Sequence, residues 1–209
     1  MRSMVLSVHP GLAGNSRLPT LTERGRSSNT AATLVLLAAG VSAASATVLL
    51  DFSLRVPGHA ILRAVFPMAL GLALAPRRMG GTVMGAGALG SALVIKAGGF
   101  AALGFGAMTS LLLIGPLLDL ALWRARRGWR LYLAFAVAGL AGNLAALSVR
   151  AGAKLIGFDH LAVRPLGAWW YQAVATYAVC GILAGLISAV VWFQLSAGGR
   201  DKTVSETTP

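Results

Sequence analysis

The sequence predicts an all-α, polytopic membrane protein, a compact bundle of about six transmembrane helices. Two observations support this prediction. The chain is 56% hydrophobic and only 11% charged, with a mean hydropathy of +0.74. Its apolar residues fall into six long runs that are separated by short polar, mostly basic segments. So few charged residues would not hydrate the surface of a soluble domain, whereas they suit a chain that is largely surrounded by lipid.

The six apolar runs have the length that a membrane requires. A helix rises about 1.5 Å per residue, so about 20 apolar residues cross a hydrocarbon layer of about 30 Å. The runs cover approximately 31–50, 59–75, 80–95, 100–123, 131–149 and 169–195. The third is the weakest, because five glycines leave only about 16 residues before Lys96. We expect it to span normally, with a tilted, broken or re-entrant segment as the alternative.

The distribution of Lys and Arg predicts the orientation. Twelve of the 18 lie in the N-terminal tail, the second and fourth connections and the C-terminal tail, and six lie in or beside the other connections. Cytoplasmic loops are enriched in Lys and Arg, so both termini are predicted to be cytoplasmic in a multi-pass protein of the cell (inner) membrane. The predicted parts are a disordered N-terminal tail (1–30), a six-helix membrane domain (31–197) and a C-terminal tail (198–209).

Several function classes are disfavoured. The net charge of +12 is spread over short clusters rather than one basic face, so no nucleic-acid partner is expected. Cys180 is the single cysteine, which excludes an intramolecular disulfide. The GxGxxG match at 85–90 lacks a βαβ context, and the chain has no GxxxxGK[ST] loop, no GxSxG and no HExxH. We therefore expect no cofactor, no metal site and no enzymatic activity, with a lipid-modifying enzyme as a weak alternative.

Pairs of small residues four apart recur in the apolar runs, as in Ala39 with Ala43, Gly81 with Gly85 and Gly181 with Gly185. Such pairs let helices approach closely in lipid, where packing replaces the hydrophobic effect as the source of attraction. Two uses remain open for them. They pack helices within one chain, or they form an interface with a partner subunit.

Polar residues cluster near the predicted external ends of the helices. They are Asp51, Arg55, His59, Arg63, Arg150, Lys154, Asp159, His160 and Arg164. A connection of roughly 18 residues between the fifth and sixth runs leads into three aromatic residues, Trp169, Trp170 and Tyr171. These aromatics are candidates for stacking on a planar ligand, or they anchor the helix at the lipid headgroups. His59, Arg63 and His160 are candidate polar ligand contacts, although His59 after Pro57-Gly58 also suits the start of a helix.

Two polar residues fall inside predicted spans. Asp119 follows Gly115-Pro116 near the cytoplasmic end of the fourth run, where Arg124 or Arg126 is its expected partner. Asn143 lies in the middle of the fifth run, where it either bonds to a neighbouring helix or faces a ligand. Pro116 is expected to kink the fourth helix.

The chain resembles the substrate-binding S subunits of energy-coupling-factor transporters over roughly residues 31–195. Ala39 and Ala43 match the AxxxA contact of that family with its membrane coupling subunit, and the stretch 104–119, from Gly-Phe-Gly to Gly-Pro-Leu-Leu-Asp, is similar to its fourth helix. The chain lacks the Met-His start of the cobalt and nickel members. The resemblance implies capture of a vitamin-like molecule or a metal ion, with energy from separate ATPase subunits.

The expected function is therefore a membrane substrate-capture subunit for a small solute. Its partners would be that solute, a coupling subunit, ATPase subunits and the lipid bilayer. The candidate substrate-binding residues are His59, Arg63, Asn143, His160, Trp169, Trp170 and Tyr171, and the candidate partner interface is Ala39 with Ala43. The alternative is a structural subunit that assembles a membrane complex without a ligand of its own.

Overall fold

The computed structural model of the chain describes residues 29–50, 58–99, 104–123, 125, 129–156 and 166–205, with side chains for all of these except 29, 166–169 and 194–205. Over these ranges the chain forms six α-helices and no β-strand. The helices are α1 (Asn29–Leu49), α2 (Ile61–Leu74), α3 (Gly80–Ala97), α4 (Phe105–Leu122), α5 (Trp129–Leu155) and α6 (Leu166–Ser205). The all-α fold class predicted from the sequence is confirmed.

The outer surface of the bundle is apolar along most of its length. Five of the helices contain a segment long and apolar enough to cross a membrane. Large apolar side chains point outward, and Val94, Leu120 and Val179 are 72%, 67% and 54% exposed. In lipid such a surface is stable, and helices satisfy their own backbone hydrogen bonds there. The chain is thus a multi-pass membrane protein whose spans form a compact bundle.

The shortest helix is α2, with 14 residues. At about 1.5 Å per residue it is about 21 Å long, less than the hydrocarbon thickness. It contacts each of the other five helices, and Val65, Met68 and Ala69 on it are fully buried. Neighbouring helices therefore cover most of its length. The third run, which we expected to span normally, forms α3, one continuous helix of 18 residues in spite of its glycines, and it has the lowest mean hydropathy of the five candidate spans.

Two other boundaries differ from the sequence prediction. Helix α5 continues to Leu155, so the connection to α6 is residues 156–165, shorter than expected. Helix α6 continues to Ser205 and thus includes much of the predicted C-terminal tail. Both differences have one physical reason. Hydropathy marks where lipid ends, but a helix satisfies its own backbone and continues into the polar headgroup region.

Successive helices run in opposite directions. Ala39 of α1 lies beside Gly71 of α2, whereas Thr47, further along α1, lies beside Arg63 near the start of α2. The helices form a closed ring in the order α1, α3, α4, α5, α6 and α2. We call the end where α1 begins and α6 finishes the terminal end. The opposite end is where α1, α3 and α5 finish and α2, α4 and α6 begin.

Glycines bring neighbouring backbones of the ring together. A Cβ at Gly81 would overlap the Gly115 carbonyl oxygen between α3 and α4, and a Cβ at Gly139 would overlap that of Gly181 between α5 and α6. Between α1 and α3, a Cβ at Gly40 would overlap the Met84 carbonyl oxygen. Close backbone approach of this kind increases dispersion contact between helices in lipid.

The Ala39 and Ala43 pair also packs within the chain. These residues are 9% and 0% exposed, and the Ala39 methyl group lies 2.7 Å from the position a Cβ would take on Gly71. Packing within one chain was the first of the two uses predicted for small-residue pairs. This arrangement leaves almost none of either side chain for contact with a partner subunit.

Helix α4 continues through Pro116 to Leu122. Proline has no backbone N–H, so it donates nothing to the Leu112 carbonyl oxygen four residues earlier. That oxygen faces α3, where a Cβ on Gly85 would lie 3.2 Å from it. The glycine-rich face of α3 therefore packs against the turn of α4 that contains Leu112 and Pro116.

Candidate functional site

Three polar side chains are buried among the residues with described side chains, namely Ser110, Asn143 and Ser188. The two serines donate to carbonyl oxygens of their own helices. Asn143 differs, because its Nδ2 donates to two backbone carbonyl oxygens of other segments, Gly58 at 3.1 Å and Tyr177 at 2.7 Å. It thus joins α5 to α6 and to the turn before α2, which is the first of the two roles predicted for it.

Gly58 is the point where these three segments meet. Its φ angle is +90°, and a Cβ there would lie 3.0 Å from the Tyr177 Cα and 3.1 Å from the Asn143 Nδ2. Both the backbone conformation and the space favour glycine. Following Pro57, Gly58 turns the chain into α2 and presents its carbonyl oxygen to Asn143.

Gly58→Ala is expected to lower the free energy of unfolding by about 2–3 kcal/mol, since it adds a steric clash to the strain of a positive φ. Gly99→Ala is the matched control, because Gly99 also has a positive φ, +73°, but a Cβ there meets nothing within 4 Å. That control should lose only about 1 kcal/mol. Thermal unfolding in mild detergent measures both, and equal losses would argue against a tightly packed joint at Gly58.

His59 and Arg63 lie in contact at the opposite end. The Arg63 Nη2 is 2.9 Å from the His59 Nε2, and the Arg63 Nη1 donates to the Thr47 carbonyl oxygen at 3.3 Å. A guanidinium has only donors, so the His59 Nε2 is the acceptor and carries no proton in this arrangement. Both side chains are half-buried. The two side chains lie where the turn before α2 meets α1, and they are candidates for recognition of a polar ligand.

Tyr177 extends the arrangement to Arg150. Its side chain is 6% exposed, and its hydroxyl oxygen accepts a hydrogen bond from the Arg150 Nη1 at 3.3 Å. Tyr177 is not among the site residues predicted from the sequence. A signal was present, because Tyr177 is the one aromatic residue between Tyr171 and Trp192 in an otherwise apolar run.

These contacts define what we call the polar cluster. It consists of His59, Arg63, Asn143, Arg150 and Tyr177, together with the carbonyl groups of Thr47 and Gly58. The cluster connects α1, α2, α5 and α6 at the opposite end of the bundle. It contains three of the predicted site residues, His59, Arg63 and Asn143.

The other predicted site residues are placed differently. Trp170 and Tyr171 lie near the start of α6 with side chains 39% and 85% exposed. Such exposure suits anchoring at the lipid headgroups as well as stacking on a ligand, the two uses that the sequence predicted. His160, Asp51, Arg55, Asp159 and Arg164 lie outside the described residues, as does the side chain of Trp169.

Asp119 caps a helix at the terminal end. Its carboxylate accepts hydrogen bonds from the Gly81 N–H at 2.8 Å and from the Thr82 N–H and hydroxyl, both at 2.7 Å. Met79, which precedes α3, provides no capping side chain. A carboxylate at a helix N-terminus satisfies free N–H groups and interacts favourably with the helix dipole. Asp119 thus joins α4 to α3, while Arg124 and Arg126, its predicted partners, lie outside the described residues.

The fold and the polar cluster define the class of protein. It is a multi-pass, all-helical membrane protein with a half-buried polar cluster at one end of its bundle. Comparison of the chain with known protein families, with curated proteins and with solved structures found no match. In the part of the chain that the structure describes, no group of three or more His, Cys, Asp or Glu side chains could hold a metal ion.

Proposed function

We propose that the protein is a membrane substrate-capture subunit that binds a small solute and is energised by separate ATPase partners. The observation that carries this proposal is the contact of His59 with Arg63, half-buried at the end of an otherwise apolar bundle. Burying a charged side chain in a membrane protein costs free energy, and residues of this kind usually recognise a ligand or an ion.

The position of the cluster suits a binding site whose occupancy alters the whole bundle. His59 and Arg63 belong to the start of α2, and α2 contacts all five other helices. A solute held by these two side chains would therefore change the packing of α2 against its neighbours. The bundle would then reorient against its coupling subunit, and the ATPase subunits would supply the energy.

The resemblance to energy-coupling-factor S subunits supports the same reading. In that family the capture subunit itself carries no nucleotide site, and this sequence lacks a phosphate-binding loop. We propose the cell (inner) membrane as the location, with both termini cytoplasmic and the polar cluster toward the outside. The excess of Lys and Arg in segments at the terminal end supports this orientation.

The rival function, a structural subunit without a ligand, has less support from the small-residue pairs. It relied on faces of small residues that are free to contact other subunits. Gly81, Gly139 and Gly181 contact neighbouring helices of the same chain, and Ala43 is buried.

Native mass spectrometry of gently solubilised protein from its own host tests the proposal. We expect a retained small molecule and copurifying ATPase subunits, with no ATP hydrolysis by the isolated chain. His59→Ala and Arg63→Ala should lose the small molecule and keep the partners. Ser148→Ala is the control, because the exposed Ser148 bonds only to the Leu144 carbonyl oxygen of its own helix. Partners without any small molecule in the unmodified protein would favour the assembly role.

A further inference from the structure

Building on the proposed function, we infer that the captured solute is an anion with a carboxylate or phosphate group, rather than a cation or a metal ion. The charge at the opposite end is the first reason. Among the described side chains, four cations and no acidic group lie at this end, namely Arg63, Lys96, Arg150 and Lys154. The terminal end has three described cations, Arg77, Arg78 and Arg130, and the one described acidic side chain, Asp119.

The connecting segments at this end also contain more cationic than acidic residues. The helix ends and connections on this side contain six Lys and Arg residues against two acidic residues, Asp51 and Asp159. Lys and Arg are disfavoured on the translocated side of a membrane. The twelve Lys and Arg residues of the other side follow this bias, and the six cations against two acidic residues on this side favour an anionic solute over a cation. An excess of positive charge at this end would also attract anions and repel cations.

The geometry of Arg63 suits an anionic oxygen group. Thr47 and His59 hold the guanidinium from two sides, at 3.3 Å and 2.9 Å, so its orientation is set before a ligand arrives. The planar fork of arginine matches carboxylate and phosphate oxygens. The contact also requires that the His59 Nε2 accept a hydrogen bond from Arg63, which occupies the lone pair that a metal ion would need.

The Tyr177 hydroxyl adds a further donor. Arg150 donates to this hydroxyl, and the hydroxyl can in turn donate to an acceptor oxygen. A cation or metal ion would instead need carboxylates or several neutral nitrogen ligands.

The test uses the full-length protein in mild detergent and a small-molecule extract of its host cells. Ion exchange separates the extract into an anionic, a neutral and a cationic fraction, the last with the free metal ions. The readout is the thermal unfolding midpoint of the protein with each fraction. We expect the anionic fraction alone to raise the midpoint, after which mass spectrometry of the bound material identifies the anion.

The outcomes separate the two proposals. Stabilisation by the neutral or cationic fraction and not by the anionic one would overturn the anion inference and leave substrate capture standing. Stabilisation by no fraction would contradict substrate capture itself. Arg63→Gln should need roughly tenfold or more of the anionic fraction for the same shift, since it loses a charge-assisted hydrogen bond. Arg150→Gln is the second variant if Arg63→Gln does not fold, and Ser148→Ala should respond like the unmodified protein.

Discussion

Gly139→Ala is expected to lower the free energy of unfolding by about 2–3 kcal/mol, because the new methyl group would overlap the Gly181 carbonyl oxygen. The contact is reciprocal, since a Cβ on Gly181 would lie 2.7 Å from the Gly139 carbonyl oxygen. Helices α5 and α6 make the most extensive helix-to-helix contact of the bundle. Forcing them apart therefore removes dispersion contacts along both helices, and lipid offers no hydrophobic effect to restore them.

Gly152→Ala is the matched control for this prediction. Gly152 lies in the same helix α5, but a Cβ there meets nothing within 4 Å. Because alanine favours a helix by about 1 kcal/mol over glycine, this variant should be neutral or slightly more stable. Thermal or denaturant unfolding in mild detergent gives both values. Equal stabilities for the two variants would show that α5 and α6 do not pack backbone to backbone at Gly139.

Asp119→Ala is expected to destabilise the bundle by about 3 kcal/mol. The substitution removes the acceptor of three hydrogen bonds, from the Gly81 N–H, the Thr82 N–H and the Thr82 hydroxyl, at the start of α3. Hydrogen bonds to a charged group contribute about 1.5–3 kcal/mol, and the donors left behind lose their partner near lipid. The favourable interaction of the carboxylate with the α3 dipole is lost as well.

Two further variants test whether the loss of stability comes from the Asp119 carboxylate itself. Asp119→Asn keeps one acceptor oxygen and should recover part of the loss. Thr109→Ala removes an exposed hydroxyl from the same helix α4, where it bonds only to the Phe105 carbonyl oxygen, and should change stability by less than about 0.5 kcal/mol. If Asp119→Ala unfolds at the same midpoint as Thr109→Ala, the carboxylate does not hold α3 to α4.

The sequence predicted the number, type and approximate course of the helices because lipid imposes one strong requirement. A chain that crosses hydrocarbon must be apolar for about 20 residues and must satisfy its own backbone, which leaves a pattern that is readable locally. The rule fails for α2, which has only 14 helical residues. Such a short helix is stable because all five other helices contact it, and a local sequence pattern does not show which helices will be neighbours.

In the candidate site, only contacts between residues close together in the sequence were predictable. His59 and Arg63 are four residues apart, so a helical turn brings their side chains together, and both were named from the sequence. Asn143 was recognised as a buried polar residue with two possible uses. Its partner Gly58 lies 85 residues away in the chain, and the hydrogen bond between them depends on the order of helices in the ring.

For the small residues, too, the sequence predicted close packing but not the partner helix. Spacing of four residues predicted that glycines and alanines would bring helices together, which the structure shows for Gly81 and Gly181. The spacing did not say which helix each one meets. Helix α1 packs against α3 as well as against α2, its neighbour in sequence, and the Asp119 cap joins residues 38 positions apart. These pairings are properties of the assembled bundle.

The sidedness of the membrane protein tests the proposal of external capture most directly. In a chain with Cys180→Ala, single cysteines are placed at Ala97→Cys, exposed at the opposite end, and at Met79→Cys, exposed at the terminal end. Intact cells are treated with a membrane-impermeant maleimide. We expect labelling at residue 97 in intact cells and at residue 79 only after permeabilisation. Labelling of residue 79 but not of residue 97 in intact cells would place the polar cluster on the cytoplasmic side and contradict capture from outside.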